Sequence, residues 1–300
     1  MKLQKLMKPN WIALIFGLTA CQPASKSLPP NDADRVHSHG YDIRVLDRTD
    51  DAAHHPDLVA WTKRAAEADS ETTGGARWPI ELIAESGRRG AVTNGSRITI
   101  HFHDGPRPPP GDEWVLHHEL IHASFPSLAD DDRWLEEGLA TYLEPFVRAR
   151  VGQVTPAAIW RDIARDLPQG APQAGERGLR GTWAWHRLYW GGCVFWLASA
   201  MEVDRQTQGK KSLSDALCAW AKATSAETPE AAFAAMDAAL GQPILAPRYA
   251  RASARGLEDD PKRMLTELGV SLRGEEVVFT DTAPAAKLRV RLTERGQCVR

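Results

Sequence analysis

His118-Glu119-Leu120-Ile121-His122 places two imidazoles four residues apart, with a carboxylate beside the first. An α-helix turns about 100° per residue, so His118 and His122 share one face and can aim ring nitrogens at a single metal ion. Val115, Leu116, Leu120, Ile121 and Ala123 fall on other faces, which gives a helix with an apolar back and a ligand-bearing front. Glu119 has the place of a general base beside such a pair. A catalytic zinc takes three protein ligands and keeps one position for water, so a third donor must come from elsewhere in the chain. Trp134-Leu-Glu-Glu-Gly-Leu-Ala-Thr-Tyr142 offers carboxylates, and the fourteen residues between His122 and Glu137 leave room for a loop and the first turn of a second helix. The competing reading makes the two histidines ordinary helix residues and Glu136-Glu137 a solvated acidic pair near a helix N-terminus, where the dipole favours negative charge. It requires two motifs at workable spacing both to be accidents. His117 points about 100° away from the ligand face and reads as an ordinary residue.

Together these motifs resemble the gluzincin zinc metallopeptidases, in particular the glycyl aminopeptidase family and, more distantly, aminopeptidase N, whose H-E-x-x-H is followed by W-L-x-E-G-x-A. The resemblance implies Glu137, rather than Glu136, as the third ligand beside His118 and His122, one Zn²⁺ per chain, and Glu119 as the base. Gly90-Ala-Val-Thr-Asn94 is similar to the family's G-x-M-E-N segment, which runs along the bound peptide and whose Glu holds the substrate's free amine. Thr93 stands in the place of that Glu. The amine anchor is therefore missing at this position, and aminopeptidase and endopeptidase both stay open. Thr182-Trp-Ala-Trp-His-Arg-Leu-Tyr-Trp-Gly-Gly-Cys193 is similar to the family's Y-x-x-G helix, whose Tyr supports the oxyanion; that position is Tyr189, with His186 one turn earlier as second candidate. Thr141, one turn after Glu137, is a candidate hydrogen-bond acceptor for an imidazole of the ligand pair. The implied fold is α+β: a thermolysin-like (zincin) unit with a small mixed sheet and the H-E-x-x-H helix in a first lobe, and an all-helical second lobe. The implied reaction is hydrolysis of a peptide or protein substrate. The similarity covers roughly residues 90–220.

The elements that must position these groups follow from pattern and punctuation. Tyr41 to Leu46 alternates as a half-buried strand, and Asp57 opens a helix to about Glu71. Strands are predicted near Ile80 to Ala84 and Arg97 to His103, with Ile98, Ile100 and Phe102 on one face and Thr99, His101 and His103 on the other. Asp112 is placed to cap the zinc-site helix, and Pro145 to kink or end the helix that carries Glu137. Thr155-Pro156, Ser212 with Asp215, and Thr228-Pro229 each open a further helix, the last ending at Gly241. Beyond Pro261 the pieces Glu276 to Thr280 and Lys287 to Leu292 alternate, which predicts a short β extension.

The chain opens with Lys2, Lys5 and Lys8 before an apolar run from Trp11 to Ala20 that is too short to span a bilayer. Leu18-Thr19-Ala20-Cys21 resembles a bacterial lipobox, which implies lipidation of Cys21 and a membrane anchor in the cell envelope. Gln22 after it favours the outer membrane, facing the periplasm. The expected divisions are 1–20 signal peptide, 21–40 flexible tether, 41–125 α/β lobe with the zinc-site helix, 126–262 helical lobe with the third ligand, and 263–300 β extension. Net charge is −2, and removing the first 20 residues takes only basic groups, so no basic surface points to nucleic acid. Besides Cys21 there are Cys193, Cys218 and Cys298, an odd set; Cys193 and Cys218 lie on consecutive predicted helices and form either a disulfide or buried thiols. The competing class is a non-catalytic lipoprotein whose metal clamp is structural, but such sites are usually closed by four ligands and the sequence offers three.

Overall fold

A computed structural model describes residues 34–103, 107–109, 111–223, 227–256, 258–294 and 298. The basic head, the apolar run and Cys21 lie outside the described residues. Five strands form one mixed sheet in the order β1-β2-β3-β5-β4. Strands β1 (Arg35–Ser38) and β2 (Tyr41–Asp47) pair antiparallel; β3 (Ile80–Ser86) runs parallel to β2, and β5 (Arg97–Phe102) parallel to β3. Strand β4 (Gly90–Asn94) is the outer edge, antiparallel to β5. Helix α1 (His55–Thr73) makes the crossover that the parallel pair β2 and β3 requires. It starts before Asp57, with Pro56 in the first turn, where a missing N–H leaves nothing unpaired. One face of the sheet, with Ile43, Val45, Leu82, Ile98 and Ile100, closes over α1 and over α2 (Glu113–Ser124), the helix of the two histidines.

The tether expected over 21–40 is corrected at its end. Residues Arg35–Ser38 form β1, in which Val36 and Ser38 are buried and Arg35 bonds Asp42 through two nitrogens at 2.8 Å. Period-two burial and a cross-strand ion pair outweigh the polar composition of the flanks.

The second core is helical. It is built by α3 (Arg133–Arg150), α4 (Pro156–Asp166), α5 (Gly192–Thr207), α6 (Leu213–Lys222), α7 (Pro229–Leu240), α8 (Leu245–Arg255) and α9 (Pro261–Glu267). Thr155, Ser212 and Thr228 cap α4, α6 and α7 as their spacing predicts, Ser212 in a reciprocal box with Asp215. Trp134, Trp160, Trp196, Trp220 and Phe233 fill the interior. Pro145 does not end α3, because Phe146, Val147 and Ala149 beyond it are buried and that packing outweighs one lost backbone bond. Helices α3 and α5 meet backbone to backbone. A Cβ on Gly138 would stand 2.3 Å from the Cα of Gly192, and one on Gly192 would stand 2.2 Å from the carbonyl oxygen of Trp134.

After α9 the chain forms the hairpin β6 (Val270–Arg273) and β7 (Glu276–Phe279), as expected of a β extension, but Lys287 to Leu292 is not a strand. It lies in α10 (Ala286–Thr293), where Leu288 and Leu292, one turn apart, are buried and Val290 is exposed. The pairing of cysteines also differs from the expected choice. Cys218 bonds Cys298, with Cα atoms 5.6 Å apart, and Cys193 is a buried free thiol. No helix of the described residues is long and apolar enough to cross a membrane.

Candidate metal centre

Helix α2 carries His118, Glu119 and His122 to the seam between the two cores, its Val115, Leu116, Leu120 and Ala123 packing toward the sheet and Ile121 toward the helical side. Its last turn is pinned by a polar relay. Ser124 donates to the Leu120 carbonyl at 2.7 Å, and its hydroxyl lies 2.7 Å from that of Tyr41 on β2. His117 is fully buried, with Nδ1 2.7 Å from Asp69 of α1 and Nε2 3.0 Å from Gln153 beyond α3. It ties α2 to its neighbours on both sides and faces away from the ligand pair.

Glu137 comes from the first turns of α3. Its Oε2 lies 3.3 Å from His118 Nε2 and 3.4 Å from His122 Nε2, and the three donor atoms all lie within 4.8 Å of one another. Tetrahedral zinc with bonds of about 2.0–2.1 Å sets its donors about 3.3 Å apart, whereas a charge-assisted hydrogen bond closes to about 2.7–2.9 Å. Both spacings match the zinc separation, and two imidazole nitrogens with a carboxylate oxygen are a donor set that zinc accepts. Neighbouring Glu136 turns elsewhere: its Oε1 accepts from the backbone N–H of Leu128 at 2.9 Å. Two adjacent carboxylates are thus separated by helix geometry into one aimed at the imidazoles and one aimed at the backbone.

Burial would lower the pKa of His122, but the Glu137 carboxylate, with Glu119 and Glu136 behind it, pushes it up to about 9. Burial would raise that of Glu137, yet the charge of His122 and hydrogen bonds from both imidazoles hold it well below the usual carboxylate range. Tyr189 stacks over His118 with ring centroids 6.1 Å apart. Burial, then the charges of Glu137 and Glu119, push its phenol well above its ordinary value, so it stays protonated. It sits in a π-helical turn, Arg187–Gly191, leading into α5, a distortion that sequence periodicity does not reveal and that is frequent at functional sites. His186 is turned to Gln173, 2.5 Å away. The Thr141 hydroxyl donates to the Glu137 carbonyl at 2.7 Å, so it supports the ligand helix rather than an imidazole. Asp112 does precede α2, but its side chain pairs with Arg89 instead of capping the helix.

Two contacts at the site were not foreseen. Arg133 Nε stands 3.7 Å from Glu137 Oε1, one turn back on α3. Thr93 on β4 donates its hydroxyl to Glu119 Oε2 at 2.7 Å; the G-x-M-E-N similarity marks the position but not the partner. Beside His122 a pocket of about 310 Å³ opens, lined also by Arg77, Trp78, Gly95, Phe125 and Glu227. His101 and His103 stand apart from this cluster: His101 is partly exposed, 3.9 Å from Glu85, and His103 is exposed.

The fold is similar to part of the solved M1 zinc metallopeptidases. An aminopeptidase N family protein from Idiomarina loihiensis superposes with a TM-score of 0.63 at 11% identity, over 80% of this chain and 49% of that one. An M1 zinc metallopeptidase from Deinococcus radiodurans gives 0.53 at 19% identity over 79% and 52%, and a mutant of that enzyme bound to a Tyr-Ser-Ala substrate gives 0.52 at 20% identity over 79% and 53%. The chain spans about half the length of these proteins. No protein-family model and no curated protein sequence matches it.

Proposed function

We propose that the chain is a zinc-dependent peptidase in which His118, His122 and Glu137 hold one Zn²⁺ and Glu119 is the general base. The observation that carries the reading is the convergence of two Nε2 atoms on one Oε2, at 3.3 and 3.4 Å, with Glu119 beside them and a protonated phenol across the site. Zinc bound there supplies a Lewis acid and brings the pKa of water toward about 7. Glu119 takes the proton of the attacking water through Oε1, since Oε2 already accepts from Thr93, and returns it to the leaving amine. Tyr189 donates its hydroxyl to the carbonyl oxygen as negative charge develops. The helical π-turn holds that phenol in place before substrate arrives. Among the described residues three side chains converge there rather than the four of a closed structural site, which favours an enzyme over a structural clamp.

The same reading places the protein on the bacterial cell envelope through lipidated Cys21, at the outer membrane facing the periplasm. The Cys218–Cys298 disulfide supports an oxidising compartment. Fatty-acid labelling that disappears in Cys21→Ser is the expected result; labelling that persists would remove the anchor. The peptidase is tested by metal analysis together with a quenched peptide library. One zinc per chain and turnover abolished by chelation are expected, and Tyr189→Phe should lower kcat by about 10²-fold while zinc content stays unchanged. Stoichiometric zinc without turnover on any peptide would make the chain a binding module.

A further inference from the structure

The π-helical turn Arg187–Gly191 that carries Tyr189 also holds a buried cation that the metal centre does not use. Arg187 is 2% exposed. Through Nη1 it donates to the Gly170 carbonyl and, at 3.2 Å, to the Ala171 carbonyl; through Nη2 it donates to Glu176 Oε1 at 2.5 Å. Two main-chain carbonyls and one carboxylate converge on one side chain, an arrangement that suits the fixed fork of a guanidinium and not the single ammonium of a lysine.

The loop that supplies these acceptors is fastened along its length. At its start the backbone lies directly on the π-turn: a Cβ on Gly170 would stand 2.3 Å from the Trp190 carbonyl oxygen. Glu176 closes the loop on itself, its Oε2 accepting from the Gln173 N–H at 3.2 Å. Further on, the Leu179 N–H donates to the Ala252 carbonyl of α8 at 3.0 Å, and the Gly181 N–H to the Asp131 carbonyl, just before α3, at 2.7 Å. Residues 170–181 therefore run from the turn that carries the phenol to the entrance of the helix that carries Glu137, and Arg187 is the buried tie at the phenol's end. A π-turn is rare because α-helical winding is ordinarily preferred, so contacts around it have to favour it. Relaxation to α-helical winding would rotate Tyr189 about the axis relative to α5 and break its stack on His118.

Resting on the peptidase reading, in which Tyr189 meets the developing oxyanion, we infer that Arg187, tied to Glu176 and to the Gly170 and Ala171 carbonyls, is a positioning residue that holds the Tyr189 phenol over His118. Arg187 is enclosed by backbone, so the tie is cut from its outer partner, Glu176, whose side chain is 14% exposed. On the zinc-loaded protein Glu176→Ala should lower kcat about tenfold at unchanged KM with one zinc per chain, and Glu176→Gln, which keeps an acceptor oxygen, should recover to within about threefold. In the Tyr189→Phe background Glu176→Ala should change kcat less than about twofold, because the group it positions is gone. A second readout needs no turnover. The chain has four tyrosines, so fluorotyrosine labelling gives four fluorine resonances, and Tyr189→Phe identifies one of them. That resonance should shift and broaden in Glu176→Ala while those of Tyr41 on β2 and Tyr142 on α3 stay in place. An unmoved Tyr189 resonance, or a loss of kcat equally large without the phenol, would overturn the assignment. A parent that hydrolyses no peptide, or a Tyr189→Phe variant as fast as the parent, would defeat the peptidase reading or the phenol's part in it, and the fluorine resonance would still decide whether the tie positions the ring.

Discussion

The sheet core and the helical core solve different problems. On the sheet side, α2 is located by directional polar contacts as well as by packing: Ser124 to Tyr41, His117 to Asp69, Thr93 to Glu119. On the helical side, α3 is located by aromatic bulk and by backbone contact, with Trp134 against Phe195 at 5.1 Å between ring centroids, Trp196 donating to the Leu135 carbonyl at 2.9 Å, and Gly138 against Gly192. The first holds the two imidazoles and Glu119. The second supplies the Glu137 carboxylate and the Tyr189 phenol. A hydrogen-bonded helix can be set to a few tenths of an ångström with little mass around it, while a ligand delivered from the other side of a cleft needs a stiff support. The spacing of His118, His122 and Glu137 is where the two methods have to agree.

The sharpest way to separate the two contributions is Glu119→Gln, which leaves the Ser124–Tyr41 and His117–Asp69 contacts and all three proposed ligands in place. Turnover should fall about 10³-fold with zinc content unchanged, measured by single-turnover kinetics and metal analysis. On the helical side, Trp196→Ala removes a fully buried ring and the donor to the Leu135 carbonyl, next to the ligand turn. It should cost about 3–5 kcal/mol in denaturant unfolding, and the zinc affinity of the surviving folded fraction should fall with it. Equal zinc affinity in that fraction would show that α3 is held by the sheet side after all. A smaller effect is expected for Gly138→Ala: overpacking of about 1–3 kcal/mol, read as an earlier thermal transition, with a weakened third ligand.

The gentlest probe is pH. In the zinc-free protein the pKa of His122 is raised from 6.5 to about 9, so its contribution to stability is complete below pH 6.5 and is lost as pH rises through about 9. Zinc needs that imidazole neutral, so metal affinity should climb over the same interval. Thermal melts of apo and zinc forms should therefore diverge with rising pH, and His122→Asn should flatten the apo curve. A parallel pair of curves would mean that Glu137 does not interact with His122.

The part of the site built from residues close in sequence was readable before any coordinates. Helical spacing alone puts His118 and His122 on one face; the span to Glu137 only leaves room for a return to it, and the choice of Glu137 over Glu136 came from the W-L-x-E-G-x-A resemblance. Thr93 was visible as a departure from a pattern, but its partner depends on how the sheet edge lies along α2, which no local rule contains. The π-turn under Tyr189 was hidden because one inserted residue shifts the helical period without changing the residue types. At the far end, Lys287 to Leu292 alternates well enough to suggest a strand; burial of Leu288 and Leu292, with Arg289 bonded to the carbonyl oxygens of Leu268 and Gly269, made a helix the better fit. The cysteine alternatives were open for the same reason: Cys193 is the buried thiol one of them allowed, but Cys218 pairs with Cys298, 80 residues on, which local spacing does not reveal.

That returning tail does more than close a loop. Cys298 is bonded through sulfur to α6, while its backbone N–H donates to the Glu71 carbonyl of α1 at 3.0 Å. One residue thus stitches the helical half to the crossover helix of the other half, and at that point it limits how far the two can part.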